Sequence, residues 1–319
     1  MKGIYITSII IIFIAMVLFP LISMNETVLP SPAPSSPTEP SADGKQPETL
    51  RVLDVKTDKV IEMTVKDYVI GVVSAEMAAE YDIEALKAQA VVAYTYALYK
   101  KNLRKNETYD VTDTSAKDQA FLSVGEAKER FGDNYQKYTD KITSAVNAVE
   151  GKKITYNGKP ILACCHSISG GKTESAELLW GGSYPYLMPV ESAGDVLSSG
   201  YLSEVTVSKD DFKTALKDLE INFKGEPDKW ITDINRSNSG YILSLKICGT
   251  ELKGSKIRSA LKLRSTNFDV SITDDTFKFS VRGYGHGVGM SQYGAQYMAL
   301  QGSTYEDIIK WYFTGCGVE

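Results

Sequence analysis

Histidine is nearly absent: only His166 and His286 occur in 319 residues. Cysteine is sparse too, and Cys164, Cys165, Cys248 and Cys316 match no zinc-finger spacing. These few residues leave room for one Cys–His pair or one small metal site, and either needs long-range geometry. A Cys248–Cys316 disulfide is conceivable outside the membrane, but four buried small hydrophobes are the favoured reading. No long basic run occurs and the formal net charge is −5. That argues against nucleic acid as a partner and leaves a neutral polymer such as a glycan open. No internal repeat is found, which excludes a repeat architecture.

Charge is also missing from Gly3 to Met24, around the run "IIIIFIAMVLF". About 20 apolar residues is the length that spans a bilayer. The following "FPLISMNETVLP" has no A-x-A cleavage pattern, so an uncleaved anchor is favoured over a cleaved signal peptide. Lys2 and the amino terminus would stay in the cytoplasm and the rest would face outward. Residues 1–24 are thus expected to form a transmembrane anchor. Residues 25–48, rich in Pro and Ser, are expected to be an extended linker, and 49–319 one folded domain.

What is present reads as mixed helix and strand. "LRVLDV" predicts a first strand. "TVKDYVIGVVSAEM" predicts a helix capped by Thr64 with Asp67, with Val69, Val72, Val73 and Glu76 on one face. "IEALKAQAVVAYTYALYKK" predicts a second helix with a small-residue stripe of Leu86, Ala90, Ala93 and Ala97. A polar, irregular stretch follows from 102 to about 140. "ITSAVNAVEG" then predicts a short helix ending at Gly151. In "KKITYNGKPILACCHSIS", Asn157-Gly158 signals a hairpin. "KDDFKTALKDLEI" predicts a helix, "YILSLKICG" and "TFKFSVRGYG" strands, and "MSQYGAQYMALQG" and "TYEDIIKWYF" helices. Partial segregation of helices and strands favours an α+β fold.

Three places could carry chemistry. Glu76 is a carboxylate on an apolar helix face, where partial desolvation favours the protonated form that a general acid needs. The alternative is an exposed or salt-bridged residue near a helix end. On a strand, "ILACCHSISGGKTES" puts Leu162, Cys164 and His166 on one face, followed by small polar residues and a glycine turn that suit a ligand or a tight turn. "GYGHGVGMSQYGA" has Gly283, Gly285, Gly287 and Gly289 at period two. As a strand it would show one bare face and carry Tyr284, His286, Val288 and Met290 on the other. The bare face would admit a pyranose or a packed neighbour. The spacing is not that of a dinucleotide loop, which argues against nucleotide binding.

"YVIGVVSAEM", "EALKAQAVVAYTYAL", "HSISGGKTES", "LRSTNF" and "GYGHGVGMSQYGA", in this order from about Leu50 onward, resemble the stage II sporulation protein D family. The resemblance implies a membrane-anchored lytic transglycosylase that cuts the bond between N-acetylmuramic acid and N-acetylglucosamine. It implies a preference for peptidoglycan strands stripped of stem peptides, and 1,6-anhydro products. By the same resemblance Glu76 is the catalytic acid/base. Implied substrate contacts are Lys87 and Gln89 on the second helix, and His166, Ser167, Ser169, Gly170 and Gly171 in the first glycine motif. His286, Ser291 and Gln292 complete them in the second. No cofactor and no metal are expected. Implied partners are the stage II sporulation proteins P, an amidase, and M, a membrane scaffold. The implied place is the outer side of the mother-cell membrane that engulfs the forespore. Two departures stand out. Tyr94 occupies the place of a family arginine, and Ser115, Lys117 and Asp118 occupy a stretch where some relatives hold zinc. A non-catalytic glycan-binding scaffold and a Cys–His cell-wall peptidase are the alternatives.

Overall fold

The computed structural model describes residues 48–273 and 276–319. The expected anchor and all of the expected linker but Glu48 lie outside the described residues. Among the described residues, no helix is long and apolar enough to cross a membrane.

The chain enters as an antiparallel pair, β1 (Thr49–Asp54) and β2 (Lys59–Thr64), with β3 (Val111–Thr112) parallel beside β1. Helix α1 (Val65–Glu76) starts where the Thr64 hydroxyl accepts the Asp67 N–H, at 3.1 Å. Asp82 caps α2 (Ile83–Leu103), and the stripe of Leu86, Ala90, Ala93 and Ala97 is fully buried. Small side chains there let neighbouring helices approach closely. The polar stretch is more ordered than expected. It holds α3 (Val124–Phe131), with a Ser123–Glu126 capping box, and the start of α4 (Tyr135–Ala148). Helix α3 buries only Ala127, so it carries no apolar periodicity to read.

The predicted hairpin forms between β4 (Ile154–Tyr156) and β5 (Lys159–Pro160). Asn157 and Gly158 sit at φ +52° and +70°, as a type I′ turn requires. Next come the short β6 (Cys165–His166) and α5 (Ala176–Trp180). From Leu202 to Arg282 the chain builds two antiparallel three-stranded sheets. One has the order β11 (Phe268–Thr273), β12 (Thr276–Arg282), β7 (Leu202–Ser208). The other has the order β10 (Thr250–Lys253), β9 (Ile242–Ile247), β8 (Ile231–Arg236). Helices α6 (Lys209–Ala215) and α7 (Gly254–Ala260) accompany them. The chain closes with β13 (Met290–Ser291), α8 (Gln292–Leu300), α9 (Tyr305–Tyr312) and β14 (Gly317–Val318).

Two hydrophobic cores result. The first joins residues from Leu50 to Leu187 with Val288 to Phe313. The second lies between Phe212 and Val281, and is centred on Phe212 stacked on Phe277 with ring centroids 4.3 Å apart. The sheet module is therefore an insertion between two parts of the helical module. All four cysteines are free. Cys248 packs against the second core and Cys316 against the first.

"GYGHGVG" is not a strand. Its four glycines have φ of +75°, +119°, +83° and +71°, a left-handed backbone that side-chain-bearing residues avoid. A Cβ on Gly283 would meet the Ile168 carbonyl at 2.7 Å, and one on Gly289 the Cys164 carbonyl at 2.2 Å. A Cβ on Gly285 would meet His166 Cβ at 2.7 Å, and one on Gly287 the Tyr241 ring at 2.4 Å. The bare backbone thus admits packed neighbours of the chain itself.

Gly71 does the same inside α1. A Cβ there would meet the Phe121 ring at 2.2 Å and the Leu122 carbonyl at 2.9 Å. Gly71→Ala should cost about 1–3 kcal/mol by overpacking. Gly125→Ala, on exposed α3 with nothing nearer than 4.0 Å, should gain about 0.5–1 kcal/mol. Urea unfolding of the two variants checks the contrast, and equal midpoints would refute it.

Candidate functional site

Glu76 is the last residue of α1, where the chain turns out of the helix at Met77. Its carboxylate is partly buried and both oxygens are held. Oε1 accepts the Ala120 backbone N–H at 2.9 Å, and Oε2 accepts the Gln292 amide at 3.2 Å. The Gln292 amide also lies 3.8 Å from the Cys165 sulfur, and the Gln89 amide donates to that sulfur at 3.4 Å. Glu76, Gln89, Cys165 and Gln292 therefore meet, from four separate parts of the chain. Gln89 Oε1 is buried there without a hydrogen-bond partner.

The loop that brings Ala120 to Glu76 is anchored by Asp118. Its buried carboxylate pairs with Arg104 at 2.7 Å and Lys100 at 2.9 Å, and accepts the Thr112 N–H. Burial opposes its charge, but the bonds from Arg104 and Lys100 outweigh that and hold its carboxyl below the usual range. The loop continues to Leu122, whose N–H reaches the Gly71 carbonyl at 3.1 Å. Asp118 enters the sequence reading only as a departure from a zinc pattern. The structure makes it the support beneath Glu76.

The two glycine motifs are stapled together. Ile168 and Tyr284 exchange backbone hydrogen bonds of 3.0 and 2.7 Å, and the Met290 N–H reaches the Cys164 carbonyl. Asp195 is fully buried and takes the Ser169 N–H at 2.9 Å and the Ser291 hydroxyl at 2.7 Å. Burial pushes its pKa up, against the hydrogen bonds from Ser169 and Ser291. Gly170 donates to the Tyr241 hydroxyl, and Gly171 to the Ser169 hydroxyl. Ser169 and Ser291 are fully buried, and the N–H groups of Ser169, Gly170 and Gly171 are used within the protein. Ser167 is partly exposed, and its carbonyl holds the Tyr293 N–H. Asp195 lies in no stretch the sequence reading singles out, and Tyr241 enters it only as the first residue of a predicted strand.

Lys87 makes no ion pair with Glu76 and is instead paired at 2.6 Å with Glu84, whose other oxygen holds the Tyr305 N–H. Tyr94 donates to Glu48 and lines a separate pocket with Val69 and Val146. The arginine-to-tyrosine departure thus falls outside the Glu76 cluster.

The histidines are neighbours, with ring centroids 5.6 Å apart, and each is fixed as a tautomer. His166 Nδ1 lies 3.0 Å from the Val288 carbonyl, so it carries the proton, and Nε2 is left buried without a partner. His286 Nδ1 accepts the Val288 N–H, and the ring also bonds the Cys165 backbone. Burial pushes His166 down to about 4. Burial, then the neighbouring His166 and Arg258, push His286 down to about 3. The thiols go the other way: burial raises Cys164 to about 12, and burial with the Glu76 carboxylate raises Cys165 further. A thiolate nucleophile paired with an imidazole base is not what these environments favour. Among the described residues, no group of three His, Cys, Asp or Glu side chains could hold a metal ion.

Asp118→Asn should cost about 1.5–3 kcal/mol at pH 7, the value of charge-assisted hydrogen bonds. A depressed carboxyl stabilises the fold above its ordinary pKa of 3.8 and loses that contribution as pH falls below it. The stability gap between wild type and variant should therefore close in acid, which chemical denaturation at several pH values measures. For the histidines, both imidazoles should stay neutral from pH 8 to 5. A folded-state NMR titration showing a midpoint near 6.5 for either would contradict the burial described.

Comparison with known proteins gives the family. A family profile described as Stage II sporulation protein matches residues 54–156, which include Glu76 and Asp118. A second, described as a domain of unknown function, matches 200–289, the inserted sheet module. Stage II sporulation protein D of Bacillus subtilis (strain 168) is 36% identical over 289 residues, covering 87% of this chain and 82% of that protein. The protein of the same name from Bacillus amyloliquefaciens is 36% identical over 278 residues, covering 86% and 79%. A Bacillus subtilis protein named amidase enhancer is 31% identical over 299 residues, covering 77% of this chain and 39% of that protein. With more than a third of residues shared across most of both chains, the protein belongs to the stage II sporulation protein D family.

Proposed function

We propose that the protein is a peptidoglycan lytic transglycosylase in which Glu76 serves as both acid and base. The observation that carries this reading is how Glu76 is held. Two neutral N–H donors fix its oxygens, and no cation pairs with it among the described residues. A carboxylate so placed can gain and lose a proton without breaking an ion pair.

Ordinary glycosidases need two carboxylates, one as acid and one as nucleophile or water-activating base. A single one suffices when the nucleophile belongs to the substrate. Glu76 first gives its proton to the leaving glycosidic oxygen. As carboxylate it then takes the proton of the muramoyl C6 hydroxyl, whose oxygen closes on C1 to form a 1,6-anhydro ring. Because that hydroxyl is already attached to the reacting sugar, proximity replaces the second carboxylate. Gln292 and Ala120 keep the carboxylate oriented through both steps.

Family membership supports a cell-wall setting in sporulation, and denuded glycan strands are the substrate in this proposal. Attachment to the outer face of the membrane and cooperation with the stage II proteins P and M remain part of the same proposal. The name of the relative called amidase enhancer favours one further reading, a glycan-binding helper of an amidase with no cleavage of its own. One assay separates the two. The purified full chain is incubated with denuded strands and the products are weighed by mass spectrometry. Ends one water lighter than hydrolysis products should form, about 10²–10⁴-fold more slowly with Glu76→Gln. Reducing ends would sink the transglycosylase reading, and strands bound but uncut would support the helper.

A further inference from the structure

A cleft of about 400 Å³ lies where α5 of the helical module faces the inserted sheet module. Trp180, Lys253, Ser255, Arg258, Thr266 and His286 line it. Nothing above gives it a task, and its chemistry is unbalanced in one direction. Arg258 Nε bonds the Leu263 carbonyl at 3.3 Å, and among the described residues no carboxylate pairs with its guanidinium. Burial lowers its pKa, which means that the cation sits there at a cost that an anion would offset. Thr266 is 5% exposed, and its hydroxyl has no hydrogen-bond partner. Lys253 is a second cation without an ion pair among the described residues. One acid, Glu177, stands on the wall. Two cations and one acid leave one net positive charge, which suits a monoanion better than a doubly charged phosphate.

The remaining wall suits a sugar. Trp180 is 46% exposed, with its ring 5.2 Å from that of His286 and edge-on to it. An exposed indole offers an apolar face to the C–H face of a pyranose and a polar tip to its hydroxyls. The cleft also lies close to Glu76. His286 bonds the Cys165 backbone, and the Cys165 sulfur shares the Gln292 amide with Glu76.

We infer that this cleft binds a carboxylated pyranose, the lactyl carboxylate of a muramoyl residue facing Arg258 and Thr266 and the sugar ring lying against Trp180. The inference rests on the reading of this chain as a glycan-acting protein and assigns the inserted module a share in substrate choice. A muramoyl residue freed of its peptide carries that carboxylate bare; one still bearing a peptide has it locked in an amide. The cleft would thus favour the first on charge.

The two histidines give a direct readout, since no others crowd the spectrum. The full chain is titrated with N-acetylmuramic acid, N-acetylglucosamine and muramoyl dipeptide at pH 7, following the imidazole resonances. N-acetylmuramic acid should shift the His286 signal with saturation, and N-acetylglucosamine, which lacks the carboxylate, should bind about 10- to 100-fold more weakly. Arg258→Gln should lose a similar factor, and Arg258→Lys should recover part of it while losing the planar fork. Equal response to the two monosaccharides, or full binding by a folded Arg258→Gln, overturns the proposal. Tighter binding of muramoyl dipeptide moves the recognised carboxylate to the peptide end and overturns the lactyl assignment. The titration cuts no bond, so it fails or succeeds independently of the product assay for Glu76.

Discussion

The seam between the Cys164–Ile168 segment and the Gly283–Met290 segment is the constraint on which the rest depends. Backbone lies against backbone there, at separations that no Cβ would tolerate. Several parts of the candidate site hang from the seam. It brings Cys165 to Gln292 and sets both histidines. It also carries the chain from the sheet module back into the first core. Asp195 and Tyr241 tighten it from either side, one from the helical module and one from the insertion.

Around this seam the electrostatics are divided. Near Glu76 the partners are neutral: a backbone N–H and a side-chain amide on its oxygens, with the Cys165 thiol beside that amide. Arg104 and Lys100 are committed to Asp118, and Arg130, whose guanidinium bonds the Ala75 carbonyl, makes no ion pair with Glu76. Further along the seam the balance reverses, and among the described residues no carboxylate pairs with Arg258, which stands near two neutral imidazoles. Glu76 and the unpaired Arg258 are thus linked through one short strand pair, β6 and β13.

Local signals made α1 legible: the Thr64 cap, the valine face, and Glu76 at its end. The Asn157-Gly158 hairpin was legible for the same reason, since two residues decide the turn. The small-residue stripe of α2 announced a helix packed closely against a neighbour. The period-two glycines misled, because a strand and a run of left-handed turns share that spacing and φ leaves no trace in composition. Helix α3 escaped notice because it buries almost nothing. Gln292 could be tied to the site only through family resemblance, and Asp118, Asp195 and Tyr241 act through distant partners that no local pattern announces. The inserted module hid for a related reason, its strands interrupting a motif set that reads as continuous.

The hydrogen bond between Glu76 and Gln292 spans 216 residues. A growing chain makes α1 early, yet it cannot complete the cluster until the sheet module has formed and the segment after it has returned to the first core. Domains tend to fold in the order they are synthesised, and contacts this distant form late. The protein is therefore built with its own delay. Its carboxylate stays without its amide partner until nearly all of the chain has been made, so a prematurely terminated product would lack an assembled site.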